Sequence, residues 1–215
     1  RLEPGKGEPG SDPEPGKVVN QGPSPIAEPE RSTPLFGEFD VVVLGGGPAG
    51  IAATVSAARQ GARTLLVERY GFLGGMGTAA GVTNFCGLHA NVHGDMRQVV
   101  HGVADELLDR MRALDGLNDP HLVLGRIHAQ AYDIAAYKCA ADALLAHSGA
   151  QVLFHALGAG VVLAADGTID CALLETRSGR RAVRARAFID CSGDGDLAAW
   201  SGTPMEKGDA AGHLL

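Results

Sequence analysis

The stretch VVVLGGGPAGIAAT, residues 41–54, decides how the rest of this chain is read. The continuous, β-branched run from Phe39 to Leu44 has the composition of a parallel strand buried on both faces. Three glycines follow it. Pro48 then stands where a first helical residue belongs, since its missing N–H would be unpaired there anyway, and Gly61 stands where a helix stops. Between them, IAATVSAAR offers small side chains that let a helix lie close to a sheet. TLLVE, residues 64–68, reads as a second buried strand. Strand, glycine turn, helix and strand within about thirty residues make a βαβ unit.

Gly45, Gly47 and Gly50 satisfy the spacing G-x-G-x-x-G. The first permits a tight turn, the second lets the backbone approach a pyrophosphate, and the third allows close helix–strand packing. The helix N-terminus beyond them offers free N–H groups and partial positive charge. Glu68 ends the second strand, where a carboxylate accepts both ribose hydroxyls of an adenosine. The pattern predicts dinucleotide binding, with a purely structural glycine turn as the alternative. Glu68 would repel a ribose 2′-phosphate, which disfavours NADP, while the adjacent Arg69 is of the type that accommodates one.

Around this unit the chain of 215 residues has room for one good core, or one domain and part of another. Its net charge of −7, with Lys and Arg thinly spread, gives no electrostatic support to a nucleic-acid partner. No window carries the unbroken apolar run of a membrane helix, so no membrane partner is expected. The four cysteines sit singly, which suits a reduced, cytoplasmic compartment. Residues 1–37, crowded with Pro, Gly, Glu and Ser, are expected to be a disordered leader, and residues 38–215 the folded domain. Helices are expected over 97–113 and 133–147. A short strand is expected at 151–155, an antiparallel β-meander over 159–186, and a further buried strand at AFIDC, 187–191. Arg1 and Leu215 both read as cut ends, so the C-terminal part of a longer protein is expected to be missing.

ERYGFLGGMGT, residues 68–78, places a second glycine cluster directly after the acidic residue. A plain NAD-binding unit has no need of it, whereas a dinucleotide with a ribityl chain and flavin does. Here the chain resembles the FAD-dependent oxidoreductases of the glutathione-reductase-like superfamily, near the fumarate-reductase flavoproteins and thiazole synthases. The resemblance rests on DVVVLGGGPAGIAA, TLLVERYGFLGGMGT, VVHGVADELLDRM and AFIDCSGDGDLAA. It implies an α/β, Rossmann-like FAD-binding domain: a parallel sheet, flanking helices and an antiparallel meander as crossover. It implies FAD as cofactor, held by Gly45, Gly47, Pro48, Ala49 and Gly50, by Glu68 and Arg69, and by Gly74, Gly75 and Met76. Ser192, Gly193 and Asp194 match the family's turn beside the adenosine half. Thr54 departs from the pattern, standing where Gly or Ala is usual in the helix.

NFCGLHANVHGD, residues 84–95, carries Cys86, His89 and His93. It reads as a loop near the flavin, within an insertion over 79–130 that lines the substrate side. A histidine acting on a proton is the sharper alternative, and a metal site is disfavoured because no second ligand pair exists. Cys86 reads as a small apolar residue rather than a redox thiol, and Cys139, Cys171 and Cys191 as packed side chains. Asp194 and Asp196 read as a helix cap before a catalytic pair, with Asp194 as the cap. The expected function is oxidation or reduction of a small organic substrate by hydride transfer to flavin N5. A non-catalytic nucleotide-binding module and an NAD-dependent dehydrogenase are the alternatives. A homo-oligomer is left open, and no catalytic residue is assigned beyond the weak candidates Cys86, His89 and His93.

Overall fold

β1 (Leu35–Leu44) leads through the glycine turn into α1 (Pro48–Arg59) and back to β2 (Thr64–Val67). In the computed structural model of the chain, residues 27–206, 208, 209 and 213 are described, and Thr33–Leu215 form a unit of their own. The disordered leader expected over residues 1–26 lies outside the described residues. β3 (Asn84–Cys86), β4 (His89–Val92), β5 (Asp95–Gln98), α2 (Val103–Ala113), β6 (His121–Val123) and β7 (Ile127–Ala131) come next. α3 (Ile134–Ser148), β8 (Gln151–Leu153), β9 (Ala156–Leu163), β10 (Ile169–Thr176), β11 (Gly179–Asp190) and α4 (Asp196–Trp200) complete the order.

The main sheet has the order β8-β2-β1-β11-β10-β9. Its first four strands are parallel, and β11, β10 and β9 are joined antiparallel. Successive side chains of a strand point to opposite faces. Val43 and Leu66 therefore enter one core with Ile51, Val55, Tyr137 and Leu144 of the helices. Val42, Leu65 and Val67 enter a second core with Ala172, Leu174, Val183 and Leu197. Because both faces are covered, β1 and β2 carry unbroken apolar runs instead of alternating ones.

Four expectations are corrected. β1 begins at Leu35, inside the segment read as leader, because its pairing with β11 continues past a bulge at Leu35/Gly37. The last meander strand and AFIDC are one strand: β11 pairs antiparallel with β10 through Gly179–Arg184 and parallel with β1 up to Asp190. The helix expected from residue 97 begins at Val103. Gly102, at φ +79, turns the chain, and the Asp105 carboxylate caps it by accepting the Gly102 N–H at 2.8 Å. Cys139 is exposed, not core, since it lies two residues from the buried Tyr137 and so on the far side of α3. No described helix is long and apolar enough to cross a membrane.

Candidate dinucleotide and flavin site

The C-terminal ends of β1, β2 and β11 are brought level by backbone hydrogen bonds. Gly45 N–H donates to Val67 C=O at 2.8 Å, and Cys191 N–H donates to Leu44 C=O at 2.8 Å. In open α/β sheets ligands bind at this edge. The glycines there do different jobs. Gly45 has φ +102, and a Cβ on it would lie 2.2 Å from the Cys191 carbonyl oxygen. A Cβ on Gly50 would lie 1.8 Å from the Gly45 carbonyl oxygen, so α1 sits against the turn only because Gly50 has no side chain. Gly47 differs from both. Its backbone is extended, with φ −72 and ψ −175, and a Cβ would meet only the Gly75 Cα, at 3.8 Å.

Beyond Gly47, the first intrahelical bond runs from Ile51 N–H to Gly47 C=O at 2.9 Å. The N–H groups of Ala49 and Gly50 precede it, and no side chain caps them. Pro48 and Ala49 are exposed. Gly50 is buried, and Ala49 presents the uncapped end of the helix, whose partial positive charge suits an anion. The second glycine cluster closes over this turn: Gly74 N–H donates to Gly46 C=O at 2.8 Å, with Gly74 at φ +111 and Gly75 at φ +54. Thr78 secures the cluster through its hydroxyl, which donates to Leu73 C=O at 2.7 Å. Met76 is exposed at its tip.

Glu68 is buried. One carboxylate oxygen accepts Gly46 N–H at 2.6 Å and the other accepts Tyr70 N–H at 2.7 Å. Both oxygens keep lone pairs for hydroxyl donors, since an ionised carboxylate has about four acceptor positions. The acid therefore braces the glycine turn. Sequence reading missed the brace. Gly46 N–H and Tyr70 N–H carry no side-chain signature, and only the fold brings them to the carboxylate. Arg69 is exposed, its guanidinium 4.9 Å from the centroid of the Tyr70 ring.

The turn after β11 departs from expectation. Asp194 does not cap α4; the N-cap is Gly195, at φ +72, and no side chain bonds it. Asp190 does the work instead. One oxygen accepts the Ser192 N–H at 3.1 Å and its hydroxyl at 2.7 Å, and the other accepts Ala198 N–H at 3.1 Å. Ser192 Oγ in turn accepts Asp196 N–H at 3.0 Å. Burial pushes the Asp190 carboxyl up, but the hydrogen bonds from Ser192, Ala198 and Leu197 outweigh it and hold it below the ordinary carboxylate value. Asp190 faces inward from the last strand and reaches the free helical N–H groups, leaving Gly193 and Asp194 exposed at the edge.

Cys86, His89 and His93 fall on separate elements. Cys86 lies in β3, and His89 lies in β4 with a buried Nδ1 that lacks a partner among the described residues. His93 sits exposed at the tip of the β4–β5 hairpin, at φ +54. Desolvation, then the nearby His128 and Arg112, push the His89 pKa down. Among the described residues no group of three His, Cys, Asp or Glu is placed to hold a metal ion. Thr54 is fully buried, its hydroxyl without a partner among the described residues, the physical cost of its departure from a small apolar residue.

A parallel-stranded sheet with an anion-binding glycine turn at its carboxyl edge defines this as a dinucleotide-binding α/β domain. The FAD dependent oxidoreductase family matches residues 40–214, and the chain belongs to that family; its cofactor is FAD. Over 45 residues it is 51% identical to a dihydrolipoyl dehydrogenase of Trypanosoma brucei brucei, covering 21% of this chain and 9% of that protein. THI4 of Thermovibrio ammonificans superposes with a TM-score of 0.51 at 18% identity, over 76% of this chain and 61% of its own. A geranylgeranyl bacteriochlorophyll reductase-like protein of Thermoplasma acidophilum gives 0.53 at 19% identity, over 80% and 45%. At these identities the likeness is one of fold. The chain spans under two thirds of the length of each of these proteins.

Proposed function

We propose that this chain forms the FAD-binding part of an oxidoreductase that transfers a hydride between a small organic substrate and flavin N5. The bound flavin supplies the hydride chemistry, and the protein supplies binding, orientation and electrostatics. Ala49 and Gly50 N–H groups would hold the pyrophosphate at the α1 N-terminus, with Gly45, Gly47 and Pro48 shaping the turn. Glu68, with Arg69 beside it, would receive the adenosine ribose, and the exposed Gly193 and Asp194 after Ser192 would border that half. Gly74, Gly75 and Met76 would carry the wrap toward the flavin, and residues 79–130 would face the substrate. All four cysteines are free, in keeping with a reducing compartment such as the cytoplasm.

The observation that carries this reading is Gly47. Gly45, Gly46 and Gly50 each have a steric reason within the protein to lack a Cβ, whereas Gly47 has none. A ligand approaching its backbone is the remaining reason. The test is to load the protein with FAD, remove free cofactor, and record the visible flavin band before and after anaerobic addition of candidate substrates. A retained band that a substrate bleaches supports the proposal. A protein that retains no flavin overturns it.

A further inference from the structure

Among the described strands, β4 and β5 pair only with each other, so their hairpin stands apart from both larger sheets. Its base is tied by Val99 N–H, which donates to Leu88 C=O at 2.8 Å. Gln98 adds a second tie, its side-chain amide donating to Val100 C=O at 2.7 Å and to the Asp105 carboxylate at 2.6 Å. Leu88 and Val100, which bracket the hairpin, both line an apolar cavity of about 620 Å³ on the flank of α1. The aromatic part of its wall is Phe85, stacked on Tyr132 with ring centroids 4.2 Å apart. Movement of the hairpin therefore moves two of the cavity's lining residues.

β4 lies against β7, where His89 of the one strand and His128 of the other oppose each other's charge. Each has an Nδ1 sealed from water and without a hydrogen-bond partner among the described residues. A neutral imidazole leaves a lone pair or one N–H unsatisfied there, whereas an imidazolium must leave an N–H and a charge. The other groups around His89 give no relief. Gln98, opposite it on β5, is uncharged, and Arg112 of α2 is a further cation, paired with Asp109 at 2.6 Å. Asp105 is taken by Gly102 N–H, by Gln98 and by His101. Asp95 and Arg97 pair with each other at 3.8 Å, and His93 is exposed at the hairpin tip. Around His128, Leu122 stands opposite on β6 without charge, and His121 and Arg126 are exposed. His101, at the hairpin base, is placed differently. Its ring nitrogens lie 3.4 Å from the Asp105 carboxylate and 3.2 Å from the Gln98 carbonyl oxygen, so a proton there tightens the base.

We propose that the β4–β5 hairpin is an acid-released flap on the apolar cavity: a proton taken up at His89 as pH falls frees the hairpin from β7 and shifts Leu88 and Val100. This goes beyond the redox reading above and does not depend on it. The sign follows from linkage. Held against β7, His89 has a lowered pKa; released into water it regains the ordinary value of about 6.5, so opening takes up a proton and is favoured below that pH. At pH 5.5 a free imidazole is about ten-to-one protonated, so between pH 7.5 and 5.5 the open population rises by at most about tenfold.

The test is solvent paramagnetic relaxation by NMR with a neutral gadolinium chelate, on the full chain labelled at histidine rings and at leucine and valine methyls. At pH 5.5 the His89 and His128 rings and the Leu88 methyls should relax severalfold faster than at pH 7.5. Leu174 and Val183, buried in the second core, should stay shielded at both. His93→Gln should keep the response. His89→Gln should abolish it at His128 and Leu88, with circular dichroism unchanged. No pH dependence at His89 in the unaltered protein would overturn the proposal, whatever the variants do. So would a response undiminished in His89→Gln, or an equal gain at Leu174, which would mark unfolding of the whole domain in place of release of the flap.

Discussion

Replacing Gly47 separates a structural glycine from a functional one. At φ −72 and ψ −175 any residue is at ease, and a new Cβ meets nothing closer than the Gly75 Cα at 3.8 Å. Gly47→Ala should therefore keep the fold and gain up to about 0.4–1 kcal/mol, because the unfolded chain loses freedom. The same change at Gly50 or Gly45 drives a Cβ to 1.8 or 2.2 Å from a carbonyl oxygen and should prevent folding. For the cofactor the order reverses. A side chain at Gly47 projects into the gap between the two glycine turns, where a pyrophosphate would reach the N–H groups of Ala49 and Gly50. Hydrogen bonds to charged groups contribute about 1.5–3 kcal/mol each, so losing two costs about 3–6 kcal/mol. Gly47→Val should then weaken FAD about a hundredfold to ten-thousandfold. Calorimetric titration with FAD, beside thermal melts, measures both effects. A folded Gly47→Val protein with unaltered FAD affinity would refute the assignment, and a Gly47→Ala protein losing more than about 2 kcal/mol would refute the steric argument.

Glu68→Ala removes a buried carboxylate from two backbone donors, so it should lower stability by about 2–3 kcal/mol and FAD affinity about ten- to a hundredfold, read by denaturant melts and titration; an unchanged melt would show that the brace contributes nothing. Asp190→Ala should cost about 1–2 kcal/mol by leaving the α4 N–H groups uncapped, and Asp194→Ala should cost little by the same melts. In its folded state Asp190 has a lowered pKa, so its contribution is present above the unfolded value and is lost as pH falls through the folded one; the pH dependence below about 4 should diminish in Asp190→Asn. His89 also has a lowered folded pKa, so the unfolded chain takes up its proton first and stability falls as pH drops below about 6.5; His89→Gln should flatten that limb of the melting-temperature profile. Thr54→Val removes an unpaired buried hydroxyl at nearly constant volume, and chemical denaturation should show a gain of about 1 kcal/mol.

The local features of this fold were legible because short-range physics fixes them. An apolar β-branched run, a G-x-G-x-x-G turn, Pro48 at a helix start and an acid closing the next strand each act within a few residues of themselves. Together they name the βαβ unit and its ligand class. The AADG and RSGR turns of the meander were legible for the same reason. What spans the chain was not. That β11 serves as both meander strand and parallel neighbour of β1 depends on pairing across more than a hundred residues, and no periodicity encodes it. Asp194 looked like the α4 cap because it lies close in sequence, but Asp190, held on the sheet, reaches the helix first. Glu68 was legible as the acid closing β2, yet its grip on Gly46 N–H exists only once β2 lies beside β1. The aromatic-walled cavity has no sequence signature at all. Its residues come from α1, β3, α2, α3 and the segments between them, which share no spacing, so only tertiary packing brings them together.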